Sequence, residues 1–314
     1  MRAAVYRADG ALSVEEVETP LPGPGEVRVG VTVSGVNPTD WKARSTGVEF
    51  QVPNQDGAGV IESVGPDVDE ARVGERVWVY FAAWQRPWGT AAEYSVVPAG
   101  HAVPFDASDE LGASLGIPAL TAYHCLLADG PIEGRTVLVA GGAGAVGHAA
   151  IQLAKWSGAR VVSTVSSEEK ASLARDAGAD AVVNYRDDDA VEQIRAAAPD
   201  GVDRVVEVAL ESNLGLDLDV AAPHAVISSY AASPDTQAAV PVRRLMTPNI
   251  LLRFVLVYTI PRDALRAAVE GVSRAVEVGA LTTLPLHRFP LDRVAAAHDA
   301  VEGGAVGKVV IDIP

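Results

Sequence analysis

"VLVAGGAGAVGHAAIQLAKWSG", Val137 to Gly158, carries an apolar run into a glycine-rich loop and then into an amphipathic segment. Thr136 to Ala140 is apolar and β-branched enough for a buried strand, and Val146, Ala149, Ala150, Leu153 and Ala154 follow at helical spacing. The loop therefore stands at a strand-to-helix turn. There Gly142 is expected to make the tight turn, Gly144 to let backbone approach a pyrophosphate, and Gly147 to let the helix lie close on the strand. The helix start at Ala145 and Val146 turns N–H groups and the positive end of the helix dipole toward the phosphates. A lone G-x-G-x-x-G is weak evidence; the strand before it and the helix after it make this one specific.

Working outward, the same texture repeats: "RVVSTV" then "SEEKASLARDAG", "DAVVNY" then "DAVEQIRAAA", "DRVVEVA" then "NLGLDLDVAA", and "HAVISSY". Repeated βα units predict an α/β fold with a doubly wound parallel sheet of the Rossmann kind. "ILLRFVLVYTI" reads as a further, buried strand on length. The stretch before about Thr136 differs. It is dense in Val, Gly and Pro, with short alternating runs such as "EVRVGVTV" bounded by turn signals, and it predicts a β-rich unit. After the helical "RDALRAAVEGVSRAVEVGAL", the tail "GKVVIDI" is one more strand. At 314 residues the chain is comfortable as two domains.

If the dinucleotide were NAD, an acid for the ribose would be expected about 20 residues beyond the loop. The residues there are Ser163, Thr164, Val165, Ser166 and Ser167. Glu168 and Glu169 come too late and begin the next helix. Ser166 forms an S-x-x-E capping box with Glu169, so it serves as a helix cap, a cofactor contact, or both. Lys170, one turn in, either meets a 2′-phosphate or is a solvated helix lysine. An absent acid and an available cation point to NADPH.

Acids outnumber bases 41 to 25, for a formal charge of −16, which repels nucleic-acid backbones and anionic membranes. No nucleic-acid or membrane partner is expected, and no apolar run approaches the ~18 residues of a membrane span. "MRAAVYRADG" carries no export signal, so the expected location is cytoplasmic. Cys125, the only cysteine, is expected in a core. Lysines are confined to Lys42, Lys155, Lys170 and Lys308, and their scarcity singles each one out.

The segments "GVNPTDWK", "QDGAGVIESVG", "GTAAEYSVVPA", "LTAYHCL", "AGGAGAVG", "DAGADAVVNYRDDD" and "GKVVI" together resemble the medium-chain dehydrogenase/reductase superfamily, in its zinc-independent quinone oxidoreductase (zeta-crystallin-like) branch. The resemblance implies a GroES-like β-rich catalytic domain over 1–118 and 285–314, with a Rossmann NADPH-binding domain over 119–284. It also implies a homodimer or homotetramer, contacts of Lys170 and Tyr185 with the 2′-phosphate, and a "SSY" turn, Ser228 to Tyr230, along the cofactor. Where zinc alcohol dehydrogenases place ligand cysteine and histidine, this chain has Asn37 and Gln55. One acid is too few for a catalytic zinc, and no metal is expected.

Asn37, Trp41, Lys42 and Gln55 are then the candidate catalytic residues lining the nicotinamide end. Asn37 or Lys42 would donate to a quinone or enone oxygen, although Asn37 beside Pro38 also reads as turn chemistry. Several relatives carry a tyrosine where Trp41 and Lys42 stand; Tyr80 is a substitute proton donor or simply pocket wall. Candidate cofactor residues are Gly142, Gly144, Ala145, Val146, Gly147, Ser166, Lys170, Tyr185, Ser229 and Tyr230. The expected activity is NADPH-dependent reduction of a small-molecule quinone or α,β-unsaturated carbonyl. The competing reading is a nonenzymatic NADPH-binding protein, either nucleic-acid-binding or crystallin-like and structural.

Overall fold

Alternating apolar residues in the first third of the chain fold as strands, because each strand can then bury one face. The structure, a computed structural model, describes residues 1–42, 49–233 and 235–314. In chain order come β1 (Arg2–Tyr6), β2 (Leu12–Glu16), β3 (Glu26–Gly35), α1 (Pro38–Lys42), β4 (Asp56–Val64), β5 (Arg76–Val79), β6 (Tyr94–Pro98), β7 (Ala102–Pro104) and α2 (Asp109–Gly112). On β3, Val27, Val29, Val31 and Val33 are all buried, as the alternation requires. β3 pairs antiparallel with both β4 and β6, and its end sets Gly35 opposite Asp56. That register brings the Val36–Asn37 turn beside the Asp56 carboxyl.

From α3 (Leu120–Leu127) the chain alternates: β8 (Thr136–Ala140), α4 (Ala145–Trp156), β9 (Arg160–Val165), α5 (Glu168–Asp176), β10 (Ala181–Asn184), α6 (Ala190–Ala197), β11 (Val202–Glu207), α7 (Leu210–Val220), β12 (Ala221–Ser229), α8 (Val242–Met246), β13 (Leu251–Phe254) and α9 (Arg262–Glu277). Among the described residues the six strands lie in the order β10-β9-β8-β11-β12-β13, every pair parallel. The order reverses between β8 and β11. That reversal is the switch point of a doubly wound sheet, where ligands bind at the carboxyl ends of the strands. The "ILLRFVLVYTI" run corrects one expectation. β13 is an edge strand, with Phe254 72% exposed and only β12 as its partner among the described residues. Its apolar side chains reflect an open edge, a position that length alone does not reveal.

β14 (Leu286–Pro290), α10 (Val294–Glu302) and β15 (Lys308–Asp312) return to the first sheet. That sheet runs β14-β15-β3-β4-β5-β7, with β6 on β3, and β15 lies antiparallel to β3. The chain accordingly divides into two units, Met1–Ile117 with Pro285–Pro314, and Pro118–Leu284. The fold is mixed α/β, a GroES-like β-rich unit and a Rossmann unit. Cys125 is buried in the second.

Candidate functional site

In the Rossmann unit the glycine loop leaves β8 at the switch point. Gly141, at φ 70°, takes the left-handed turn that had been expected of Gly142. Gly142 is needed for a different reason: a Cβ there would lie 2.0 Å from Ser163 Oγ of β9. At Gly147 a Cβ would meet Gly141 O at 2.3 Å, so this glycine lets α4 lie close on the strand, as expected. Gly144 is the exposed N-cap of α4, and His148 N–H makes a bond at 2.8 Å to Gly144 O. The N–H groups of Ala145, Val146 and Gly147 therefore have no partner within the helix. A cradle of unclaimed donors at the positive end of a twelve-residue helix suits a pyrophosphate.

At the end of β9 the cap of α5 is Ser167, whose Oγ accepts from Lys170 N–H at 3.4 Å. The capping box expected of Ser166 and Glu169 does not form: β9 continues through Val165, the helix begins only at Glu168, and the cap falls to Ser167, whose third helical position is Lys170. Ser166 is thereby released from capping. Its Oγ lies 3.2 Å from Lys170 Nζ, and Lys170 is half-buried while Glu168 and Glu169 face solvent. Glu168 pairs outward with Arg175 at 2.6 Å. Asn184 is in register with Val165, so Tyr185 follows at the same sheet edge, its N–H bonded to Val165 O. Arg186 stacks over the Tyr185 ring at 5.9 Å. Arg186 was missed in the sequence; its only signal was a base adjoining Tyr185 in "NYRDDD".

Ser229 closes β12 in register with Glu207 of β11, and Tyr230 N–H donates to Glu207 O at 3.1 Å. Both therefore stand at the carboxyl edge of the sheet. Below them lies a feature the sequence did not advertise. Glu207 and Asp217 are fully buried, and Glu207 Oε1 accepts from Asn213 Nδ2 at 2.9 Å and from Ala209 N–H. Glu207 Oε2 and both Asp217 oxygens have no donor among the described residues. Burial raises both carboxyls above their ordinary range, and for Asp217 the facing Glu207 adds to the rise.

In the GroES-like unit the four candidate catalytic residues gather around α1 and the start of β4. Asn37 is 2% exposed, and both ends of its carboxamide are engaged. Lys308 Nζ donates to Asn37 Oδ1 at 2.9 Å and to Val36 O at 3.1 Å. Asn37 Nδ2 donates to Asp56 Oδ2 at 2.7 Å, and Asp56 also accepts from Ile117 N–H at 2.9 Å. Asn37 N–H bonds to Asp40 Oδ2 at 2.7 Å, so the turn beside Pro38 is held by the Asp40 side chain and not, as expected, by the carboxamide of Asn37 supporting its own backbone. Gln55 is 8% exposed with Oε1 unpartnered among the described residues, as is Trp41 Nε1. Lys42 is exposed, its Nζ 5.7 Å from the Trp41 ring centre. Lys308, Asp40 and Asp56 complete this cluster and lie outside the candidate residues of the sequence. Only the scarcity of lysine hinted at the first, since its partner Asn37 lies 271 residues away.

The electrostatics of this cluster follow from its burial. Desolvation raises Asp56 to about 6 against the pull of Lys308. Asp40 rises further, through burial and the neighbouring Asp56 charge, while burial lowers Lys308 against the attraction of both carboxyls. Tyr80 is not a free donor: its hydroxyl bonds to Gly100 O at 3.0 Å, its ring stacks on His101, and burial pushes it up to about 12. It serves as packing against Phe81 and His101. Zinc does not fit the Asn37 and Gln55 positions, because an ammonium already stands against Asn37 Oδ1 and a carboxamide nitrogen is no zinc ligand. Among the described residues no group of three or more His, Cys, Asp or Glu is placed to hold a metal. Nor is any helix among them long and apolar enough to cross a membrane.

Two family models match the chain, an alcohol dehydrogenase GroES-like domain over residues 23–107 and a zinc-binding dehydrogenase over 145–274. A 2-haloacrylate reductase from Burkholderia sp is 30% identical over 335 aligned positions, covering 99% of this chain and 98% of that protein. A quinone oxidoreductase from Homo sapiens is 29% identical, covering 94% and 92%. A mycobacterial protein solved in complex with NADPH superposes with a TM-score of 0.86 at 29% identity, over 99% of this chain and 100% of that one. With the two folds, the dinucleotide loop and the likeness along nearly the whole length agreeing, the chain is an oxidoreductase that belongs to the medium-chain dehydrogenase/reductase superfamily, in its quinone oxidoreductase branch.

Proposed function

We propose that this protein is a zinc-independent, NADPH-dependent reductase of quinones or related α,β-unsaturated carbonyl compounds. The observation that carries the reading is the Asn37 carboxamide, gripped between a buried lysine and a buried aspartate where a zinc enzyme keeps metal ligands. Such a site offers hydrogen-bond donors to an oxygen that gains negative charge, and it lacks the Lewis acid that acidifies an alcohol. The nicotinamide, when bound, supplies the hydride.

The chain's own residues supply the rest. Backbone N–H groups of Ala145, Val146 and Gly147 hold the pyrophosphate, and Ser229 and Tyr230 lie along the cofactor. Ser166, Lys170, Tyr185 and Arg186 receive the 2′-phosphate, with no acid turned toward it. Asn37 donates to the reacting oxygen, beside Gln55, Trp41 and Lys42. Solvent protonates the reduced product, so no dedicated acid is required.

Oxidation of NADPH with 9,10-phenanthrenequinone and a panel of enones, set against ethanol and benzyl alcohol with NADP⁺, tests the assignment. Quinones should give the higher kcat/KM. A higher value for an alcohol would end the reductase reading. Full activity in chelator, with no stoichiometric zinc by metal analysis, is the expected companion result.

The same reading makes the protein a homodimer or homotetramer. Support comes from the open β13 edge and the apolar Val242, Met246, Leu251 and Phe254 exposed around it. Light scattering of the purified protein should return a multiple of the 32.6 kDa chain mass, and Phe254→Asp should lower it. A cytoplasmic location completes the proposal.

A further inference from the structure

The buried cluster of the GroES-like unit is an expensive piece of construction. Lys308 is 3% exposed and Asp40 and Asp56 no more than 2%, although apolar residues of similar volume would generally hold a fold as well or better. Backbone has been cleared to admit the charged heads. A Cβ on Gly116, in the helical turn Leu115–Ala119, would lie 2.0 Å from Asp56 Oδ1, so that turn leaves room for the carboxyl. Gly35 is required first by Ala113 O, 2.0 Å from its would-be Cβ, with Lys308 Nζ beyond at 3.2 Å.

What the arrangement achieves is an unambiguous orientation of one amide. An Asn carboxamide ordinarily flips with little change in shape, exchanging a donor end for an acceptor end. Here a flip would set Oδ1 against the Asp56 carboxylate and the NH₂ group against the Lys308 ammonium. Two charge-assisted hydrogen bonds would become two repulsions. Nδ2 carries two hydrogens, and Asp56 takes one. The ammonium on Oδ1 also draws electron density from the amide nitrogen, which makes the second N–H a stronger donor.

We propose that Lys308 is a positioning residue for the reductase site: through Asn37 Oδ1, with Asp56 holding Nδ2, it fixes the carboxamide orientation that presents an N–H, never the carbonyl, to the oxygen being reduced. The inference rests on the reductase reading of the same site. Lys308 itself touches no substrate.

The test combines kinetics with a readout that needs no turnover. With 9,10-phenanthrenequinone and NADPH, Lys308→Met should lower kcat about tenfold to a hundredfold while KM changes less than about threefold, the pattern of a contact made in the transition state. In an Asn37→Ala background the same substitution should add almost nothing, because its only route is through Asn37. Should Lys308→Met unfold around an uncompensated Asp56, the Asp56→Asn/Lys308→Met pair removes both charges and keeps an acceptor for Nδ2. It should melt cooperatively and show the same kcat loss. Wild-type kcat in that folded pair, or losses that multiply with Asn37→Ala, would overturn the proposal.

Selective ¹⁵N labelling of asparagine supplies the second arm. The Asn37 side-chain amide should exchange slowly with solvent in wild type and quickly in the double variant. Fast exchange in wild type refutes the positioning whatever the activity. Slow exchange that the double variant abolishes, in a wild type that reduces no quinone or enone, upholds the hold of Lys308 on Asn37 and refutes the reductase reading instead.

Discussion

Lys170 leans back over Ser166, 3.2 Å away, while Glu168 turns outward to Arg175. This leaves a positive group and two hydroxyl-bearing side chains at the sheet edge where a ribose 2′-phosphate would project. NADPH should be preferred over NADH, and Lys170→Ala should reduce that preference about tenfold to a hundredfold in kcat/KM, the worth of one partly exposed charge-assisted contact. Arg186→Ala should act in the same direction. Unchanged ratios in both variants would show the phosphate site to be misread. Tyr80→Phe provides a contrast at the same scale. Among the described residues its hydroxyl serves Gly100 O alone, so the variant should lose about 1 kcal/mol of stability and keep its kcat. At this scale the sequence was readable where chemistry is local. The missing acid after β9 and the lysine one turn into α5 are both short-range facts. Lys308 was opaque because its meaning comes from Asn37 and Asp56, which only the register of β15, β3 and β4 brings to it.

The β9–α5 junction shows how an element boundary redistributes roles. Ser167 caps the helix, so Ser167→Ala should destabilise by about 1 kcal/mol, whereas Ser166→Ala should leave the melting temperature nearly unchanged and weaken NADPH binding. Equal thermal losses in the two variants would contradict the division of labour. Both serines satisfy the cap pattern on paper. The choice between them is made by where β9 stops pairing, with Val165 still in register with Asn184, and no local pattern encodes that. The βα alternation from Thr136 onward was legible because each element carries its own period. β13 was misjudged for the converse reason: a run of apolar residues reads alike in the centre of a sheet and at an uncovered edge. The loop glycines lie between these cases, with the spacing recognised and the turn assigned one residue late.

For the whole molecule, pH should reveal the buried acids. Glu207 and Asp217 have folded-state pKa values raised above their unfolded ones, so the folded chain holds protons that the unfolded chain releases. Their stabilising contribution is complete below the ordinary carboxylate range and is lost as pH climbs through the raised values. Asp56, at about 6, and Asp40 act in the same direction. Glu26, Glu110 and Asp180, lowered by arginine or lysine partners, oppose them on the acid side, where their contribution disappears. His101, His124, His148 and Lys308, all lowered by burial, also act against the buried acids, because the unfolded chain binds protons there that the folded chain does not and stability from these groups grows with pH. The contribution of Asp217 is isolated by difference: the melting temperature of Asp217→Asn relative to wild type should rise as pH climbs above the ordinary carboxylate range, and a difference that stays flat would contradict the picture.

The return of the chain from Leu284 to β15 bears on how the protein is made. β15 stands next to β3 within the first sheet, yet it is synthesised after the whole of the Rossmann unit, which lies within Pro118–Leu284. On the ribosome the usual order, first domain first, is inverted. The nucleotide unit can close while the N-terminal strands still wait, their Asp40 and Asp56 hydrated and Asn37 free to turn. Only when Lys308 emerges and threads beside β3 does the reducing site acquire its final polarity. A nascent chain would thus be able to hold a dinucleotide before it is able to use one.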